Sequence, residues 1–135
     1  MTVFTPSEAS RTLPLVRTIV ADILETGKII RRMQFDFGAL VGDIPEYQSH
    51  VATLKGYIAE LESLGCIYKD YDFSLGLVDF PAIIDGEECF LCWRSDEPLL
   101  MYYHSIKGGY AGRKLIPEEL LNYDEAHYQH TVFVS

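Results

Sequence analysis

The chain has 135 residues, room for one domain with a real core but short for two. Twenty acids oppose eleven Lys and Arg for a formal charge of −9, with eight acids against six bases in residues 1–64 and twelve against five in residues 65–135. Such a field repels polyanions, and the one basic cluster, Lys28, Arg31 and Arg32 beside Glu25, is too small for a nucleic-acid face, so no nucleic acid is expected as partner.

The opening residues, MTVFTPSEASR, have neither a basic start nor an apolar run long enough for export. No later stretch approaches the ~20 apolar residues needed to cross a bilayer. No membrane partner is expected, and the odd set Cys66, Cys89 and Cys92 fits a reducing, cytoplasmic setting. Thr5-Pro6-Ser7-Glu8 carries a helix start: a capping threonine, proline at the first helical position and Glu8 to close the capping box. Pro14 clashes with the carbonyl four residues back, so either one helix is kinked there or a short first helix ends near Arg11 and Thr12 and a second begins at Leu13 or Pro14. The break is preferred, because Thr12 can serve as a new cap. Leu13, Val16, Val20, Ile23, Leu24, Gly27 and Ile30 then form one apolar stripe at helical spacing.

Residues 35–46, FDFGALVGDIPE, read as a connector punctuated by two glycines and Pro45. A second helix is predicted from Pro45 or Glu46 to Leu64, with Val51, Leu54, Ile58 and Leu61 as its seam and Gly65 as a left-handed terminator. Beyond it the pattern turns to strands. Cys66 to Tyr68 is a short apolar run, and Leu77 and Val78 are strand-like, with Pro81 expected to stop central pairing. Asp85-Gly86 is a strong hairpin signal between Ala82-Ile83-Ile84 and Glu87 to Trp93. Both faces of the returning strand are apolar, which makes it central, and Leu99 to His104 is a further strand. Residues 107–113, KGGYAGR, form a glycine-rich loop, Pro117-Glu118-Glu119 starts a helical turn, and Thr131 to Val134 reads as an added edge strand or an extended segment. The expected fold is α+β. An antiparallel two-helix hairpin (14–64), with a short extra N-terminal helix, packs on a small antiparallel sheet of three or four strands (66–116), and a tail (117–135) carries a C-terminal helical turn, all in a single domain over 1–135.

The string GLVDFP, a hairpin, LCWR, an acidic turn, a tyrosine-rich strand ending in His104 and the close GGYAGR resemble an uncharacterised prokaryotic family, domain of unknown function 2203. Phe4, Thr5, Glu8, Ala9, Leu13 and Pro14 fill the family's opening segment, and the likeness covers about residues 2 to 116. Where members commonly end the last strand with an aromatic-Trp-His pattern, this chain has Tyr102-Tyr103-His104. The resemblance implies a prokaryotic cytoplasmic domain and carries no activity.

Asp79, Arg94, His104 and Arg113 lie beside turns or strand ends, where side chains can converge on one edge of the sheet. A carboxylate beside an imidazole can orient it as a base, which makes Asp79 and His104 the catalytic candidates. Arg94 and Arg113 are the ligand-binding candidates, since paired guanidinium groups take a carboxylate or phosphate bidentately. The bland alternative is a structural network in which Asp79 caps a turn and pairs with an arginine. Cys89, Cys92 and His104 raise metal binding, but an offset of three on a strand puts the two thiols on opposite faces, so no metal and no cofactor are expected. His127 and His130 read as solvent-exposed tail residues. The sequence discloses no activity. The leading expectation is a non-enzymatic binding or protein-interaction domain that self-associates as a homodimer or meets an unidentified protein partner, through Phe35, Phe37, Leu40 and Val41 with Tyr102 and Tyr103. The alternative is a small-molecule enzyme or anion-binding protein using the Asp/His/Arg cluster of the β-rich region.

Overall fold

A computed structural model of the chain describes residues 2–121. Helix α1 (Pro6–Phe37) opens with the expected capping box: the Thr5 hydroxyl accepts from the Glu8 amide at 3.1 Å, and the Glu8 carboxylate accepts from the Thr5 amide at 2.8 Å. The helix then runs unbroken through Pro14, so the expected separate N-terminal helix merges into one element of 32 residues, about 48 Å long. Pro14 is exposed, so the one backbone bond it forfeits lies on the solvent side, where water can take the freed carbonyl.

The connector is shorter than its sequence suggested. Helix α1 consumes Phe35 to Phe37, a 3-10 segment fills Gly38–Asp43, and α2 (Pro45–Ser63) follows. Gly65, at φ 95°, ends α2. Its amide bonds to the Glu62 carbonyl and that of Cys66 to the Leu61 carbonyl, while Leu61 and Cys66 are both buried beneath the turn.

Five strands make an antiparallel meander whose spatial order is its chain order: β1 (Ile67–Tyr68), β2 (Leu77–Ile84), β3 (Glu87–Arg94), β4 (Tyr102–Ser105) and β5 (Lys114–Leu115). Asp85 and Gly86, both at positive φ, make the two-residue turn that joins β2 to β3. Pro81 does not stop β2, which pairs with β3 along its whole length. The Pro81 carbonyl accepts from the Phe4 amide at 2.7 Å. Its missing N–H would face that same side, beyond the end of β1, where among the described residues no β1 residue pairs with it.

Alternation sorts the strands into two faces. Val78, Phe80 and Ala82 of β2, with Cys89, Leu91 and Trp93 of β3, pack against Leu13, Val16, Ile19, Val20 and Ile23 of α1. Trp93 and Phe80 are fully buried, Phe4 meets Phe80 edge-on at 5.3 Å, and Arg17 lies over the Trp93 ring at 5.2 Å. A side chain at Gly27 would collide with the Phe73 ring, so this glycine lets the loop before β2 approach α1 closely. By contrast, residues 31–60 contain no buried residue, and α2 buries only Leu61 fully. A helical turn begins at 118–121. Among the described residues no helix is long and apolar enough to cross a membrane. His127, His130 and the 131–134 segment lie outside the described residues.

Candidate functional site

The face of the sheet turned away from the helices carries the polar residues. Asp79 on β2 lies directly opposite Cys92 on β3, and His104 on β4 lies opposite Phe90, diagonal to Cys92. All three are buried, at 3, 2 and 4% exposure, although among the described residues no α-helix covers this face. Part of the cover is the glycine-rich segment after β4. The Ser105 hydroxyl accepts from the Gly108 amide at 2.9 Å, and Gly109, at φ 57°, turns the chain into the short 3-10 segment Tyr110–Gly112. Below it is a cavity of about 250 Å³ lined by Lys69, Leu77, Asp79, Phe90, Cys92, His104, Ile106, Gly109 and Tyr110.

Within the cluster, a carboxylate oxygen of Asp79, the sulfur of Cys92 and a ring nitrogen of His104 lie within 4.8 Å of one another. His104 Nε2 stands 3.3 Å from Asp79 Oδ1, and its Nδ1 is 2.8 Å from the Ser105 carbonyl oxygen. A carbonyl only accepts, so Nδ1 carries the proton of that bond. Burial pushes the Cys92 thiol up to about 12, with the Asp79 charge adding to the effect and Arg113 opposing it. Burial likewise pushes Cys66 up to about 12 and raises Cys89, so none of the three thiols is an activated nucleophile in this state. An imidazole, a carboxylate and a thiol in contact can exchange a proton with a ligand, and the same three groups are metal donors.

The structure brings Asp79 and His104 together and adds Cys92, while Cys89 points to the opposite face among core residues. The two arginines flank the cavity and are already engaged. Arg113 Nη2 donates to both Glu97 carboxylate oxygens, at 2.6 and 2.7 Å, and its guanidinium lies 4.0 Å from the Tyr102 ring centre and 4.8 Å from that of Tyr110. Arg94 binds Asp96 at 2.5 Å and the Tyr110 hydroxyl, and the guanidinium holds the Asp96 carboxyl below its usual range. Tyr102 is thus half-buried under Arg113, and Tyr103 is half-buried against the core. Phe35, Phe37 and Leu40 are 86, 50 and 72% exposed at the far tip of the helical pair, with Val41 half-buried beside them.

Sequence reasoning overlooked Glu97, Tyr110 and Lys69. Nothing in the acidic turn separates the buried Glu97 from the exposed Asp96, and Tyr110 acquires its place only when the loop folds over the sheet.

A family described as uncharacterised conserved protein (DUF2203) matches residues 2–116, a span that includes both helices, all five strands and every cavity-lining residue. The chain belongs to the DUF2203 family. No curated protein and no solved structure matches it. In this DUF2203 chain the GLVDFP string supplies Asp79, LCWR supplies Cys92 and Arg94, and GGYAGR supplies Tyr110 and Arg113. The stretches that carried the resemblance therefore surround the cavity.

Proposed function

We propose that the cavity on the outer sheet face binds and acts on a small polar molecule, with Asp79, Cys92 and His104 as its reactive floor. The observation that carries this reading is the burial of three chemically capable side chains beside a cavity rather than inside the core. The volume is just below the usual range for ligand pockets, which favours a compound of few heavy atoms. Lys69 contributes positive charge to the lining, while Arg94 and Arg113 are neutralised by Asp96 and Glu97. A small carboxylate or a carbonyl compound matches that lining best.

Two-dimensional NMR of the full chain against a panel of small carboxylates, aldehydes and ketones tests it. Saturable shifts are expected at Asp79, Cys92, His104 and the segment from Ile106 to Tyr110. Shifts scattered over the surface, or no saturation by any compound, would sink the reading. The unbridged state of Cys66, Cys89 and Cys92 supports a reducing, cytoplasmic setting.

The exposed tip favours a second reading, self-association of two copies through the helical pair. Phe35 and Leu40 stand in solvent, and the α2 seam of Val51, Leu54 and Ile58 is only half-buried within one chain. Sedimentation of the wild type at micromolar concentration should give a dimer that Phe35→Ser with Leu40→Ser dissociates. A wild-type monomer would rule it out.

A further inference from the structure

We infer that Asp79, Cys92 and His104 are the three protein ligands of one transition-metal ion, zinc by the character of the donors, whose fourth position opens into the cavity. The inference deepens the reading of the cavity as a small-molecule site, and rests on it for the identity of the fourth ligand.

The first reason is the direction of the lone pairs. With Nδ1–H committed to the Ser105 carbonyl at 2.8 Å, a neutral His104 presents the bare lone pair of Nε2 towards Asp79 Oδ1. The carboxylate offers only lone pairs in return. Two buried acceptors that face each other are reconciled either by a proton on Nε2 or by a metal ion held between them. A shared proton in a charge-assisted bond would draw the atoms to about 2.7–2.9 Å. The 3.3 Å separation is long for such a bond, and it also matches the edge of a tetrahedron around zinc, about 3.4 Å for nitrogen and oxygen each held ~2.0–2.2 Å from the ion.

The second reason is the support around the histidine. Ligating imidazoles commonly donate their other ring N–H to a backbone carbonyl or a carboxylate, which fixes tautomer and orientation, and Ser105 supplies that carbonyl here. The third is the donor set. Thiolate, imidazole and carboxylate together disfavour magnesium and calcium and suit zinc. The Cys92 sulfur, within 4.8 Å of both partner atoms, needs to close by at most about 1 Å to complete the geometry, a side-chain adjustment for a zinc–sulfur bond of ~2.3 Å. Three protein ligands beside a cavity are the pattern of a catalytic rather than a structural site. An ion so placed would polarise a bound carbonyl or water. Short-range spacing misses the site because its ligands come from three consecutive strands, β2, β3 and β4, and not from Cys89-x-x-Cys92.

Cobalt(II) is the probe. The full chain, stripped with a chelator, should take up one equivalent. The complex should show the intense visible bands of tetrahedral cobalt and thiolate-to-cobalt charge transfer in the near ultraviolet, and zinc should displace it. Cys92→Ala should abolish the charge transfer and weaken cobalt binding by at least about 100-fold, the upper range already caused by losing an outer-shell partner. The Cys66→Ala/Cys89→Ala variant should keep both signals. No saturable uptake by the wild type overturns the proposal, as does charge transfer that survives Cys92→Ala. The wild-type titration decides even where a variant misfolds. Cobalt bound in this way, with no small molecule shifting the cavity resonances, retires the small-molecule reading and leaves the metal site standing. Cavity shifts without cobalt uptake do the reverse.

Discussion

The two faces of this sheet are made by the same strands and do different work. On the inner face Val78, Phe80, Leu91 and Trp93 sit against α1 with no measurable exposure. On the outer face the alternate positions Asp79, Cys92 and His104 are nearly as buried, yet they lie beside a cavity and beneath a loop. Burial alone therefore does not distinguish core from site. What separates them is the covering element, a long apolar helix stripe on one side and, on the other, a glycine-rich loop held by the Arg113–Glu97 ion pair and the Arg94–Tyr110 hydrogen bond.

Mutations should expose that difference. Trp93→Ala removes the largest inner side chain and should cost about 3–5 kcal/mol in urea unfolding. A loss under about 1 kcal/mol would mean that the inner face is not the main stabilising layer. Arg113→Ala should cost about 3 kcal/mol, because it strands the buried Glu97 carboxylate and removes the cation stacked between Tyr102 and Tyr110. Addition of Glu97→Gln should recover part of that loss, and strict additivity in the double-mutant cycle would show that the pair is not coupled.

The alkaline limb of stability reports on the buried thiols of both faces, and Cys66 is the inner-core contributor. Cys66 ionises near 12 in the folded chain and near 9.0 in the unfolded one. Its contribution is full below about pH 9 and is lost as pH climbs towards about 12. Cys66→Ala should flatten the fall of the urea midpoint between about pH 9 and 11, and an unchanged slope would place the thiol in water. The smallest stability change is expected from Cys92→Ala, about 1 kcal/mol. It should nevertheless remove the cobalt charge-transfer signal that Trp93→Ala, where still folded, retains. Stability and site chemistry would then be separable along β3 at two adjacent residues.

Most of the scaffold was legible in the sequence because its signals are local. The Thr5 box, the Gly65 terminator, the Asp85-Gly86 turn and the α1 stripe each depend on a few neighbouring residues. The errors came where local chemistry is overruled by surroundings. Pro14 passes through α1 because its face is solvated, and Pro81 passes through β2 because its missing amide faces the open side beside Phe4. The site was half legible. Asp79 with His104, and Cys92 with His104, were each nominated, but their union depends on strand register, which the sequence does not state. The two arginines attracted attention as anion binders, and their acidic partners were invisible until Glu97 and Asp96 folded beside them.

The meander has a kinetic consequence. Every strand pairs with its neighbour in the chain, so the sheet assembles through short loops whose closure costs little entropy. The clip between Phe4 and Pro81 must instead close a loop of more than seventy residues. Folding should therefore be ordered: hairpins zip first, with the turn at Asp85-Gly86 as the natural seed, and the N-terminal segment docks onto β2 afterwards. Asp79, Cys92 and His104 all belong to the early part, so the chemical centre takes shape before the chain end that fastens the fold.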